Sequence, residues 1–227
     1  MRRALALALA IVGAFAPAGA ARAQDSLAYS GDRETAVQLS RIVDDVKAKG
    51  LPVEPVIAKV RLGALYRTPP ARIVAAAQAA AARLQVAREA LGASSAPADI
   101  AAGESALSVN GVTRDMLRLI RSAEPTRSVA VPIGVMAQLV ATGVKPEQAA
   151  EIVTRLVRAR ANNGQLVALG NAVNQDVAAG AAVMSSLETR LETLRPLLAR
   201  MPSSNAADAL TLSPAPASPP TNPKGRP

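Results

Sequence analysis

Gly143-Val144-Lys145-Pro146-Glu147 reads as the end of one helix and the start of the next. Glycine suits the left-handed conformation that terminates a helix. Proline suits the first turn of a new one, and an early carboxylate complements its positive end. Related phrases stand at Gly50-Leu51-Pro52-Val53-Glu54 and Gly111-Val112-Thr113-Arg114-Asp115. Each has a glycine, an apolar residue, a linker or cap residue and an acid soon after. A hinge used three times implies helices joined by short turns, and between the hinges the apolar residues keep helical intervals.

The clearest interval runs after Thr68-Pro69-Pro70, where Thr is a candidate cap and Pro opens the first turn. Ile73, Ala77, Ala80, Leu84, Ala87 and Leu91 alternate steps of four and three, which makes one continuous stripe. Before it, Asp32 or Ser30 can cap a helix to about Lys49 with Leu39, Ile42, Val43 and Val46 on one face. A short helix through Leu65 follows, with Val56, Ile57, Val60 and Leu62 apolar. After the long helix, Ala98 to Leu107 is a weaker one because it contains Gly103, and a short one opens at Gly111-Val112-Thr113 and ends near Ser122. Ser128 to Val131 could be extended, but a loop before a helix from Pro132 to Thr142 is the preferred reading. Pro146 to Arg160 turns Ala149, Ile152, Val153, Leu156 and Val157 inward, and Asn162-Asn163-Gly164 is a turn. Leu166, Leu169, Val173 and Val177 lead to Gly180, which either joins or separates the last helices. No stretch alternates with strand period for long, so the fold class is all-α: an irregular helical bundle or short helical-hairpin stack of six to nine helices. The hinges lie at unequal intervals, so a regular solenoid does not follow.

Residues 1–23 have the form of an export signal. Arg2 and Arg3 precede an uncharged apolar run from Ala4 to Ala16, and Ala21-Arg22-Ala23 is a small-residue cleavage site. Cleavage after Ala23 implies a periplasmic or extracellular protein in a bacterial envelope, with no transmembrane span in the mature chain. Residues 24–31 read as a flexible lead-in, 32–201 as the helical domain, and 202–227, rich in Pro, Ala and Ser, as a disordered tail. The formal charge of +9 falls to +6 when Arg2, Arg3 and Arg22 leave. There is no cysteine, so the core alone must stabilise the fold, and it does so almost without rings: beyond Phe15 only Tyr29 and Tyr66 are aromatic. Small aliphatic residues between closely approaching helices are the expected packing.

The composition also removes much chemistry. Without His or Cys there is no Ser-His or Cys-His pair and no usual zinc site. No glycine-rich phosphate loop is present and no acids have calcium-loop spacing, so neither cofactor nor metal is expected. Glu104-Ser105, followed by Gly134-Val135-Met136-Ala137-Gln138-Leu139, resembles phrases of the lytic transglycosylases. That resemblance implies a glutamate acting as general acid and base on peptidoglycan, with Glu104 in the role. It covers a handful of residues, has an extra Ala137, and lacks aromatic residues nearby for stacking on a sugar. The plainer reading of Glu104 is a solvated side chain on a weak helix, so a non-enzyme is expected.

Two surfaces remain. Arg114, Arg118 and Arg121 are spaced to line one side of a helix, and Arg155 and Arg158 do so on a later one, with Arg160 close by. Guanidinium groups so placed can hold phosphate or carboxylate. An anionic lipid surface or an acidic partner fits an exported chain better than nucleic acid, and a solvated face is the plain alternative. Met184, Leu187, Leu191, Leu194, Leu198 and Met201 form a second stripe, interrupted at Pro196. It is read as a helix packed within the bundle in preference to a dimerising seam, so the partner is another envelope protein or a second copy of this chain. The expected function is an exported, non-enzymatic binding or scaffold module, the alternatives being a transglycosylase-like enzyme and a passive envelope spacer.

Overall fold

The computed structural model describes residues 32–199, in which nine α-helices and no strands are found. They are α1 (Arg33–Ala48), α2 (Glu54–Leu65), α3 (Pro70–Leu91), α4 (Pro97–Leu107), α5 (Arg114–Ala123), α6 (Ala130–Thr142), α7 (Pro146–Arg158), α8 (Asn163–Ala178) and α9 (Val183–Ala199). The leader, the lead-in as far as Gly31 and the tail lie outside the described residues. No helix among the described residues is long and apolar enough to cross a membrane.

The helices pack as two rows. α1, α3, α5 and α7 touch in succession, as do α2, α4, α6 and α8, while α9 lies on α8. Adjacent helices such as α2 and α3, or α6 and α7, join the rows. Within the first row α5 and α7 run parallel. At the start of α5, Gly111 lies so close to Pro146 that a Cβ on it would come within 2.7 Å of the proline Cγ. At the other end, Ala123 to Thr126 share a cavity with Val157, Arg158 and Arg160.

The turns explain how such short connections work. At Gly50, the Leu51 N–H donates to Val46 O and the Gly50 N–H to Lys47 O. Gly143 and Gly180 close α6 and α8 with the same pair of bonds, and all three glycines have positive φ. This arrangement satisfies carbonyls left over at a helix end and turns the following residue back onto the core. Leu51 and Val144, the residues after two of these glycines, are accordingly buried. Gly180 therefore separates α8 from α9. The same bonds also occur at Arg67 and Arg160, which hold φ of 51° and 64°. Left-handed backbone costs a residue with a Cβ roughly 1–2 kcal/mol. Arg160→Gly is therefore expected to raise stability by about 1 kcal/mol, seen as a higher urea midpoint at unchanged slope; a lower midpoint would show that the arginine side chain outweighs the strain.

The expected core faces are largely the observed ones. All six stripe residues of α3 are buried, as are Leu39, Val43 and Val46 of α1 and the inward set of α7. Small residues set the spacing: a Cβ at Gly103 would stand 2.9 Å from that of Ala87, and one at Gly63 would stand 2.8 Å from Ile73 Cγ1. The glycine that weakens α4 as an isolated helix thus lets it approach α3. Thr68 is not a cap. Its N–H closes the turn after α2, donating to Gly63 O, and Pro69 precedes α3. α9 continues through Pro196 to Ala199, so the proline does not end it.

Candidate functional site

Three buried acids, Glu104, Asp99 and Glu124, are structural. Glu104 is 2% exposed, which corrects its reading as a solvated side chain. Gly103 lets α4 settle on α3, and this brings the next residue under Arg83 of α3. Arg83 donates to Glu104 Oε1 twice, from Nε at 3.0 Å and from Nη2 at 2.8 Å. A guanidinium thus engages one carboxylate oxygen, and Glu104 lines neither of the two cavities described below.

Asp99, in the first turn of α4, is also 2% exposed. Its Oδ1 accepts from Ser128 Oγ at 2.6 Å and from the backbone N–H of Val129 and Ala130 at 3.0 Å each. Its Oδ2 accepts from Arg121 Nη2 at 2.5 Å. A carboxylate from another helix thus caps α6, whose own N-cap, Val129, has no side chain to offer. That is why α6 starts at Ala130, two residues before Pro132, and why Ser128 to Val131 is not an extended segment. Glu124, also buried, accepts from Arg127 through Nε at 2.8 Å and again through Nη2, and the Arg127 bonds hold its carboxyl below the usual carboxylate range.

The arginine surfaces divide accordingly. Arg121 points inward: besides Asp99, its Nη1 donates to Glu124 O at 3.2 Å and Arg127 O at 2.9 Å. It fastens the α5–α6 connection and is not one of a row with Arg114 and Arg118. Those two stay exposed and share Asp115, at 3.9 Å from Arg114 and 2.9 Å from Arg118. Arg155, Arg158 and Arg160 are exposed and their side chains make no hydrogen bond or ion pair among the described residues. Arg158 and Arg160 line a cavity of about 260 Å³ together with Glu124 and Thr126, so its charge is mixed. A second cavity of about 400 Å³ is lined by Lys49, Leu51, Gln85, Arg88, Glu89 and Ala93.

The α9 stripe is spent largely inside the fold. Leu187 is buried, Leu191 and Leu194 pack against the core, and Met184 is partly exposed; the side chains of Leu198 and Met201 lie outside the described residues. Asp176 of α8 holds α9 in place, accepting from Arg190 Nε at 2.9 Å and Nη2 at 2.6 Å and from Ser186 Oγ at 2.6 Å. The Arg190 bonds lower its pKa from 3.8 to about 2. Because the folded value is the lower one, this support is complete above pH 3.8 and is lost as pH falls from there through about 2. Amide exchange in α9 should therefore accelerate over that window relative to α3. Asp176→Asn should abolish the relative change, and an unaltered profile in that variant would contradict the assignment.

Among the described residues, the most exposed large apolar side chains lie elsewhere, at the end of the α2–α3 hairpin. Leu62, Leu65 and Tyr66 are 49%, 75% and 70% exposed. At intervals of three and four on the last turn of α2 they share a face. Leu62, one of the four apolar residues picked out on this helix, faces water because Val56, Ile57 and Val60 already fill the side of α2 turned to the core. Around them stand Lys59, Arg61, Arg67 and Arg72, whose side chains make no ion pair or hydrogen bond among the described residues. From Pro55 to Arg88 the chain contains no acid, the one sequence signal that could have drawn attention here. The tight contact of Gly63 with Ile73 closes the hairpin behind this surface.

Compared with known family models, curated proteins and solved structures, the chain matches none. Its function has to be argued from its own residues. No group of three or more acids that could hold a metal ion is found among the described residues.

Proposed function

We propose that this chain is an exported, non-enzymatic α-helical protein that serves as a binding or scaffold module in the bacterial envelope. The observation that carries the proposal is the hairpin end from Lys59 to Arg72, where unpaired cations surround solvent-facing apolar side chains on a closed support. Contiguous apolar surface of this kind is uncommon on a protein that binds nothing. The leader-like residues 1–23 support export. The engagement of Glu104 by Arg83 weighs against a glycan-cleaving role, because the fold already uses that carboxylate to join α3 and α4.

Isolated envelope material incubated with the processed chain, from Gln24 onward, tests this reading. The chain is expected to sediment with the envelope and leave the peptidoglycan intact. A chain that stays in the supernatant would contradict the binding role. Soluble glycan fragments, absent with Glu104→Gln, would establish the enzyme instead.

A further inference from the structure

We infer that the α2–α3 hairpin end docks on the surface of an anionic phospholipid bilayer. The inference rests on the binding role proposed above and specifies what is bound. Three features of the hairpin select a bilayer. First, the surface protrudes: from Arg61 to Arg72 only Gly63 and Thr68 are even half-buried, and neither cavity described above is lined by any of these residues. A small-molecule ligand is held in a concave pocket with convergent polar groups, whereas a bilayer interface accepts projecting apolar side chains without one.

Second, the residue types are those of an interface. Leu62 and Leu65 supply area for the acyl boundary, and Tyr66 has an apolar ring with a polar tip suited to the headgroup level. Lys59, Arg61, Arg67 and Arg72 carry long apolar stems that let their charges reach headgroup phosphates while the neighbouring side chains insert. Third, the charge is complementary without compensation. On other surfaces exposed cations stand beside acids, as Arg114 and Arg118 do beside Asp115, and Arg158 and Arg160 beside Glu124. Between Pro55 and Arg88 the chain has no acid, so the hairpin end itself contributes no carboxylate that would repel a phosphate surface. The left-handed Arg67 also belongs here: the strained turn is what carries the chain from Tyr66 straight into α3 and leaves both helix ends at the tip.

Vesicle flotation with the processed chain tests the inference, using phosphatidylcholine vesicles with and without phosphatidylglycerol. Binding is expected only with phosphatidylglycerol and should weaken as salt rises. The triple variant Arg61→Gln, Arg67→Gln, Arg72→Gln should lower the partition constant by about fivefold for each cation removed. The equal charge loss in Arg155→Gln, Arg158→Gln, Arg160→Gln should change it far less. Leu65→Ser with Tyr66→Ser should reduce binding by roughly tenfold or more, because both replace inserted apolar surface. All these positions are exposed, so matched thermal midpoints verify that the variants fold. Equal losses from the two triple variants would reduce the effect to net charge and overturn the inference. So would retention by isolated envelope that depends on the hairpin end and survives lipid extraction; that outcome identifies an acidic envelope protein as partner and leaves the binding role standing. Absence of both vesicle binding and envelope retention would remove the two together.

Discussion

Asp99→Ala is expected to lower the unfolding free energy by roughly 3–5 kcal/mol, as much as truncating a large core side chain. The substitution removes one small carboxylate, yet four groups lose their acceptor at once: Arg121, the Ser128 hydroxyl and the Val129 and Ala130 amides. Arg121 would keep its charge in a half-closed site with only two carbonyls for company. The start of α6 would lose its cap, and α6 touches α4, α5, α7 and α8, so the loss should appear as global unfolding and not as local fraying. Urea unfolding followed by circular dichroism measures it. Asp99→Asn keeps an acceptor oxygen for the amides and should recover part of the loss. Arg114→Ala, on the solvated side of α5, should stay within about 0.5 kcal/mol of the parent. A change below 1 kcal/mol for Asp99→Ala would mean that the α4–α5–α6 junction is not held by this carboxylate.

Glu104→Gln should cost about 1–3 kcal/mol. The amide retains one acceptor oxygen but loses the charge facing Arg83, and its NH₂ would sit buried without an evident acceptor. The sign matters more than the size, because a catalytic glutamate and a structural one respond oppositely. Active-site acids are commonly held at a cost to the fold, and neutralising one tends to leave stability equal or higher. Here the fold is expected to weaken. A stabilised Glu104→Gln protein would return the residue to the list of catalytic candidates, and a double-mutant cycle with Arg83→Met would then show little coupling.

Much of the architecture could be read from local sequence, and what escaped has definite physical causes. The hinges at Gly50, Gly111 and Gly143 are legible because glycine advertises positive φ. Arg67 and Arg160 make turns of the same kind without any such signal, since tertiary packing imposes the conformation on a residue that disfavours it. The α3 stripe is legible because steps of four and three recur from Ile73 to Leu91, about five turns. The start of α6 is not, because its cap comes from Asp99, about thirty residues earlier. Glu104 looks solvated on a helix of alanines; only the approach of Gly103 to Ala87 reveals how deep that helix lies. Arg121 shares helical spacing with Arg114 and Arg118, but spacing cannot tell which cations have buried acids waiting across the interface. For the hairpin end, periodicity misleads: Leu62 and Leu65 look like ordinary helix residues until the core-facing side of α2 is seen to be full.

The buried charges brace the two rows of helices, and the outward face of the α2–α3 hairpin is the proposed docking surface. Amide hydrogen exchange on the processed chain, with and without phosphatidylglycerol vesicles, addresses that claim directly. Slower exchange confined to residues 59–72, with α5 and α7 unchanged, is the predicted result. Slowing centred on 114–121 or 155–160, or no slowing at all, would contradict it.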